Sequence, residues 1–430
     1  MRRLFRFLST RRFFSPLAEY LMTFSWLIWL RLSWTYREIQ IFTDQNTITN
    51  GVRREELVIT SRNLLMPGFS GVNFWVENLS RAFSKNFNVT IFCQGRLLFK
   101  AQRFRANSVS IVALPILPSL KFLKLPLYSA WSATIKKELL KNSKYTTVIA
   151  PLSGIESYGL SSINGINIFT LLVTDERTHR FPNLTSLELQ ELERFDLRTL
   201  EVVSRESTML GAKNSRFLAD SSEVIVHLQE LFSIDLGGTS VVLPINIAPD
   251  TCKQQEKENI FFFIGRCDLR KDLRTLLNAW ELIRPMLPTW KLVIATSPGD
   301  DYQTFNRVSQ MSKQSWSLEL IVNSNESQKH DFLKRSKIVI YPSRYESFGI
   351  VALEAMQHGC ATIASNVGGL PEVLGSAGVL FEAGSEVDLA SNMVWLARNA
   401  AHLELLKERS FLRSKSNFSD ESVLEIFLNQ

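Results

Sequence analysis

Short apolar runs separated by polar, glycine-bearing loops recur along residues 56–410. The runs are strand-length and read as buried strands; between several of them lie stretches with helical periodicity. Leu57-Val58-Ile59-Thr60 predicts the first strand, 72–83 a helix, and Asn88-Val89-Thr90-Ile91-Phe92-Cys93 the next strand. Residues 146–150 and 166–173 predict two further buried strands, and 183–209 one or two helices. The second half opens on Ile260-Phe261-Phe262-Phe263-Ile264, followed by a helix over 273–283 and strands over 291–295, 318–322 and 338–340. A helical run over 388–407 and a last one over 421–428 close the chain. Strand, glycine loop, helix, strand is the pattern of a doubly wound α/β sheet, which binds ligands at the carboxyl ends of its strands.

The length of 430 residues accommodates two domains, each with its own core. The polar stretch 248–259 reads as the linker between them. This divides the chain into an extension (1–50), a first α/β domain (51–250), a second (251–410) and a carboxyl-terminal helix (411–430).

Composition adds charge to this picture. The net charge of +7 and isoelectric point near 9.2 favour anionic partners such as phosphates or acidic lipids. No nucleic-acid module is apparent, so nucleic acid is not expected as a partner. Cys93, Cys252, Cys267 and Cys360 lack metal-ligand spacing and read as reduced thiols; the five histidines are equally dispersed, and no metal is expected.

The first fifty residues stand apart. They hold Arg2, Arg3, Arg6, Arg11 and Arg12, no lysine, and Trp26, Trp29 and Trp34 around an apolar run from Tyr20 to Leu30. That run is shorter than the roughly twenty apolar residues a bilayer span needs. Two readings stand: a helix lying in a membrane surface, or a helical extension packed on the chain's own core. The expected location is cytoplasmic, and on the first reading peripheral to the membrane.

The richest stretch runs from Tyr341 to Glu354. An apolar strand (Ile338, Val339, Ile340) leads into a loop bearing Glu346, and then into a helix whose N-terminus Ser347 is expected to cap and which stops near Gly359. Glu354 follows Glu346 by eight positions and is expected about two turns into that helix. Free backbone N–H groups at a helix start suit a phosphate, and carboxylates suit hydroxyls. Arg266 and Lys271, around the turn after Gly265, form a second charged pair able to meet developing negative charge. Without such a role these residues would be ordinary solvated loop and helix side chains.

These residues resemble glycosyltransferase family 4, retaining enzymes of the GT-B fold. The likeness rests on Pro342 to Gly359, on Gly368-Gly369-Leu370-Pro371-Glu372, and on Gly265-Arg266 with Lys271. It is sharp in the second half and faint in the first. It implies two facing Rossmann-like domains, here with an N-terminal helical extension, and a nucleoside-diphosphate sugar in the cleft. By that resemblance Glu346, Arg266 and Lys271 are catalytic. Glu354, Gly265, Ser347, Phe348, Gly349, Ile350, Val351 and Gly71 bind donor, Glu354 through the ribose and 348–351 through backbone N–H groups. The family's first-loop Gly-Gly is Ser70-Gly71 here, and its histidine near the acceptor is absent; Asp175 and His179 are the nearest candidates. No cofactor or metal is implied. The expected acceptor is a lipid-linked or glycan molecule in envelope or exopolysaccharide assembly. The alternatives are a soluble transferase making a small glycoside and a non-catalytic partner of the same fold.

Overall fold

A computed structural model describes residues 54–61, 71–94, 101–106, 108–114, 127–142, 144–151, 160, 163–172, 216–247, 256–314 and 316–430. Residues 1–50, most of the first glycine loop, Asp175, His179, the helices expected over 183–209 and most of the linker lie outside that set.

The first domain is built on an eight-stranded sheet. Its strands are β1 (Glu56–Thr60), β2 (Asn88–Gln94), β3 (Gln102–Ala106), β4 (Val109–Leu114), β5 (Tyr145–Pro151), β6 (Asn167–Leu172), β7 (Arg216–Ala219) and β8 (Ser240–Val242). They lie in the order β3-β4-β2-β1-β5-β6-β7-β8. Every pairing is parallel except that of the edge strand β3 with β4. Helices α1 (Gly71–Phe83), α2 (Leu127–Leu140) and α3 (Ser222–Phe232) accompany it. Leu57, Val58 and Ile59 are all fully buried, as a strand covered on both faces requires.

The second domain has a six-stranded, wholly parallel sheet: β9 (Glu258–Cys267), β10 (Lys291–Pro298), β11 (Leu318–Val322), β12 (Ser336–Tyr341), β13 (Ala361–Ser365) and β14 (Val379–Phe381). The order β11-β10-β9-β12-β13-β14 is the doubly wound 3-2-1-4-5-6 arrangement, so the strand order reverses between β9 and β12. Its helices are α4 (Leu273–Ile283), α5 (Tyr302–Lys313), α6 (Glu326–Arg335), α7 (Ile350–Gln357), α8 (Leu370–Leu374), α9 (Glu386–Arg398) and α10 (Ala400–Asn417). In α4 the buried set Leu273, Leu276, Leu277, Trp280 and Ile283 follows helical periodicity, and Asp272 caps the start by accepting from the Thr275 N–H. The single helical run expected over 388–407 is two helices. Asn399, at φ −110° and ψ 78°, ends one and caps the next.

The last helix, α11 (Asp420–Leu428), crosses back onto the first domain. Phe427 stacks on Phe83 and approaches Phe87 and Phe169. Asp420 binds Arg81 at 2.8 Å and accepts from the Asn246 amide at 2.7 Å. One apolar cluster therefore runs from Trp75 and Leu79 through Phe427 and Phe418 to Phe348 and Val339 of the second domain. Among the described residues no helix is long and apolar enough to cross a membrane.

Candidate active site

The two loops that carry most of the candidate residues leave adjacent strands at the topological switch point. β9 runs out through Gly265 and Arg266 into the turn that bears Lys271. Its neighbour β12 runs out through Pro342 into the loop that bears Glu346. Parallel pairing thus brings residues 75 positions apart into contact, and Lys271 Nζ donates to Glu346 Oε2 as an ion pair. Both side chains remain partly exposed, at 27% and 19%. Arg266 is exposed beside them, with no ion pair to the described residues.

A second bond braces the same two loops. Asp272 sits in the left-handed region at φ 41°, where its carboxylate serves the Thr275 N–H and hydroxyl and receives Arg344 Nε at 2.5 Å. The Arg344 N–H also donates to the Arg270 carbonyl at 2.7 Å. The loop before the Glu346 carboxylate is therefore tied to the cation-bearing loop through both backbone and side chain.

Helix α7 starts later than the sequence implies. Its N-cap is Gly349 at φ 103°, with no side-chain cap, so the expectation that Ser347 caps it is corrected. The turn into the helix needs a left-handed residue, which glycine adopts without a Cβ penalty. Ser347 instead offers its carbonyl to the Ser221 hydroxyl of the first domain at 2.7 Å. Glu354 is consequently the fifth residue of α7, little more than one turn in. The first N–H groups of α7 have no partner inside the helix, which leaves an anion-binding end at the loop. The Phe348 side chain is buried edge-on against Phe418, anchoring that end.

Glu354 is buried deeper than a ligand carboxylate on a helix surface would be, at 3% exposure. Its Oε1 accepts from Lys329 Nζ at 2.7 Å, and Lys329 also reaches Glu326 at 2.7 Å. Burial pushes the Glu354 carboxyl up, and the Lys329 charge opposes that shift. Sequence reasoning missed Lys329, since a lysine in a polar helix reads as solvated. It lies three and four positions before the buried Phe332 and Leu333, and that spacing is the signal that could have found it. His330 and His358, dispersed in sequence, also meet here, with Nδ1 and Nε2 3.2 Å apart. Among the described residues no cluster of His, Cys, Asp or Glu could hold a metal ion.

The first domain contributes the end of β7 and the start of α3. Ser222 donates from its N–H and hydroxyl to Glu372 Oε2 of the second domain at 2.8 and 2.7 Å. Asp220, fully buried below, has its carboxyl pushed well above the usual range by desolvation, with Glu346 and Glu372 adding to the effect. Ser347 nearby opposes the shift, but no hydrogen bond of ordinary geometry reaches either Asp220 oxygen. Gly71 begins α1 at the carboxyl side of β1, the strand beside the first sheet's own switch point.

With this geometry in view, comparison with known proteins is specific. Residues 248–412 match the family model described as "Glycosyl transferases group 1". The chain is 28% identical over 156 residues to the O-antigen chain mannosyltransferase B of Escherichia coli, covering 36% of this chain and 40% of that one. Matches to curated relatives thus span well under two thirds of those relatives' lengths. In structure it resembles sucrose-phosphate synthase from Thermosynechococcus elongatus, with a TM-score of 0.67 at 17% identity, over 87% of this chain and 98% of that one. The fold is GT-B. The catalytic domain of starch synthase IV from Arabidopsis thaliana, solved with ADP and acarbose, shares it at a TM-score of 0.63 and 13% identity, over 87% and 99% of the two chains. In this GT-B chain the matched segment 248–412 contains Arg266, Lys271, Glu346 and Glu354 together.

Proposed function

We propose that the chain is a retaining glycosyltransferase of the family 4 type, moving a sugar from a nucleoside-diphosphate sugar to a lipid-linked or glycan acceptor. The observation that carries this reading is the meeting of Lys271 and Glu346 at the switch point of the second sheet, with Arg266 and the N-terminus of α7 alongside. The model match over 248–412 and the ADP held by a protein of the same fold support it.

The side chains divide the work by charge. The diphosphate is met by the N–H groups of residues 348–351 and by Lys271 and Arg266, with Gly265 letting the backbone approach. When the diphosphate takes Lys271, Glu346 loses its partner and is released to accept hydrogen bonds from the donor sugar. Glu354 takes ribose hydroxyls. As the anomeric carbon–oxygen bond breaks, negative charge grows on the leaving phosphate, and preorganised cations stabilise it. The acceptor oxygen bonds to the same face of the anomeric carbon and its proton passes to the leaving phosphate oxygen, so no protein nucleophile is consumed. Because the protein's own cations neutralise the diphosphate, the reaction is expected to run without a divalent metal. Gly71 borders the donor from the first domain, and Asp175 and His179 are the candidates for the acceptor side.

The O-antigen relative favours an acceptor from envelope or exopolysaccharide assembly, worked on at the cytoplasmic face of the membrane. Residues 1–50 would hold the protein there; a variant lacking them should leave the membrane fraction, and its retention would remove that role.

The test is a panel of UDP-, GDP- and ADP-sugars, scored by calorimetry and by release of the nucleoside diphosphate in EDTA. Binding and turnover of one of them, with the product's anomeric configuration retained by NMR, is the expected result. Failure of every nucleoside diphosphate to bind or to raise the melting temperature would overturn the reading.

A further inference from the structure

We propose that Lys329 is a positioning residue for the donor's ribose, fixing Glu354 so that one carboxylate oxygen is held by the lysine and the other is left for ribose hydroxyls. The inference rests on the donor reading above and deepens it.

Lys329 occupies a place that packing alone would give to a hydrophobe. It shares the inner face of α6 with Phe332 and Leu333 and is 5% exposed. Lysine is seldom buried this far unless paired, and here two carboxylates pair it, Glu354 from α7 and Glu326 from its own helix. A buried ion pair is no better for stability than a well-packed apolar pair, so the cost of placing it here points to a use.

The use is visible at the other end of the contact. Glu354 Oε1 is taken, whereas Oε2 is buried with no hydrogen-bond partner. The Tyr341 hydroxyl is buried without a partner as well, and Glu354 is the strongest charge acting on it. A buried carboxylate oxygen without a donor is uncommon and calls for an occupant. A sugar hydroxyl, a donor of the right size and neutral in charge, supplies one. Without Lys329 the desolvated Glu354 would shift toward its neutral form. It would then offer an ordinary acceptor in place of a charge-assisted one, about half as strong. Glu326, 56% exposed, pairs with the lysine from the solvent side.

The test compares a ribonucleoside diphosphate with its 2′,3′-dideoxy analogue. UDP, GDP and ADP are first titrated into the wild-type chain, and the tightest binder and its dideoxy form are then titrated into Lys329→Met. The expected result is a loss of about 10- to 100-fold for the ribonucleotide and less than threefold for the dideoxy form, with a cooperative melt retained. Equal losses for the two nucleotides, or no loss, would overturn the role of Lys329 while leaving the donor site standing. If no nucleoside diphosphate binds the wild type, the donor reading falls and this inference with it. Should Lys329→Met fail to fold, Lys329→Gln keeps a donor toward Oε1 without the charge and is held to the same ribose-selective loss. Glu326→Gln is the control and should leave the ratio of the two affinities unchanged.

Discussion

Lys271 and Glu346 lie 75 positions apart and form an ion pair, because the strands that precede them are parallel neighbours whose carboxyl ends open on the same crevice. On the proposed reading both side chains turn from each other to a diphosphate sugar when it binds. Lys271→Ala and Glu346→Ala are each expected to lower turnover on the order of 10²–10³-fold, the range found when one preorganised electrostatic group is removed. Steady-state kinetics beside a thermal melt checks this. Near-wild-type turnover in either variant would remove that residue from the site.

Asp220 makes a pH-dependent prediction. Its folded carboxyl holds its proton to higher pH than in the unfolded chain, where an aspartate ionises near pH 4. The folded state therefore binds more protons between those two values, and stability falls as pH rises through that window. Asp220→Asn removes the titration. Its melting temperature should gain on the wild type as pH is raised from about 4, and the gain should level off above the folded value. A difference that shrinks over the same range would show the carboxylate to be stabilised rather than desolvated.

Gly368 is a steric prediction. At φ 53° its added Cβ would lie 1.8 Å from the Glu346 carbonyl oxygen. Gly368→Ala should destabilise the fold by about 1–3 kcal/mol through strain and overpacking, and should displace the loop that carries Glu346. Urea denaturation together with donor affinity measures both effects; a variant unchanged in both would mean the loop yields freely.

Asp420 tests the return of the last helix. Its carboxylate is 7% exposed and holds Arg81 and Asn246. Asp420→Ala leaves these donors facing a gap, at a cost of about 3 kcal/mol for a largely buried pair. Faster hydrogen exchange in 420–428 and in 71–83, with the second sheet unaffected, is the expected pattern. Uniform exchange across the chain would indicate global unfolding instead.

Much of the strand framework was legible because buried parallel strands are short apolar runs, and the helix over 273–283 because its buried residues keep strict periodicity. The edge strand Gln102–Ala106 was not, since Arg103 and Arg105 are exposed on it and its apolar alternation is weak. The start of α7 was misjudged because a left-handed glycine, rather than a serine side chain, sets it. Lys329 was overlooked because a charged residue is read as solvated unless its place on the buried face is known.

The sequence by itself singled out Arg266, Lys271, Glu346 and Glu354 through their resemblance to a family motif, and the two α/β halves with the loops that join strand to helix through local periodicity. Tertiary structure decided which of those charges meet. Only the strand order puts the ends of β9 and β12 side by side, so that Lys271 finds Glu346. Helix packing buries Glu354 against Lys329, and among the described residues the return of α11 and the contacts of Ser221, Ser222 and His227 join the two domains. The reason is physical: local preferences act over a few residues, whereas desolvation and pairing depend on what the whole fold places within a few ångströms.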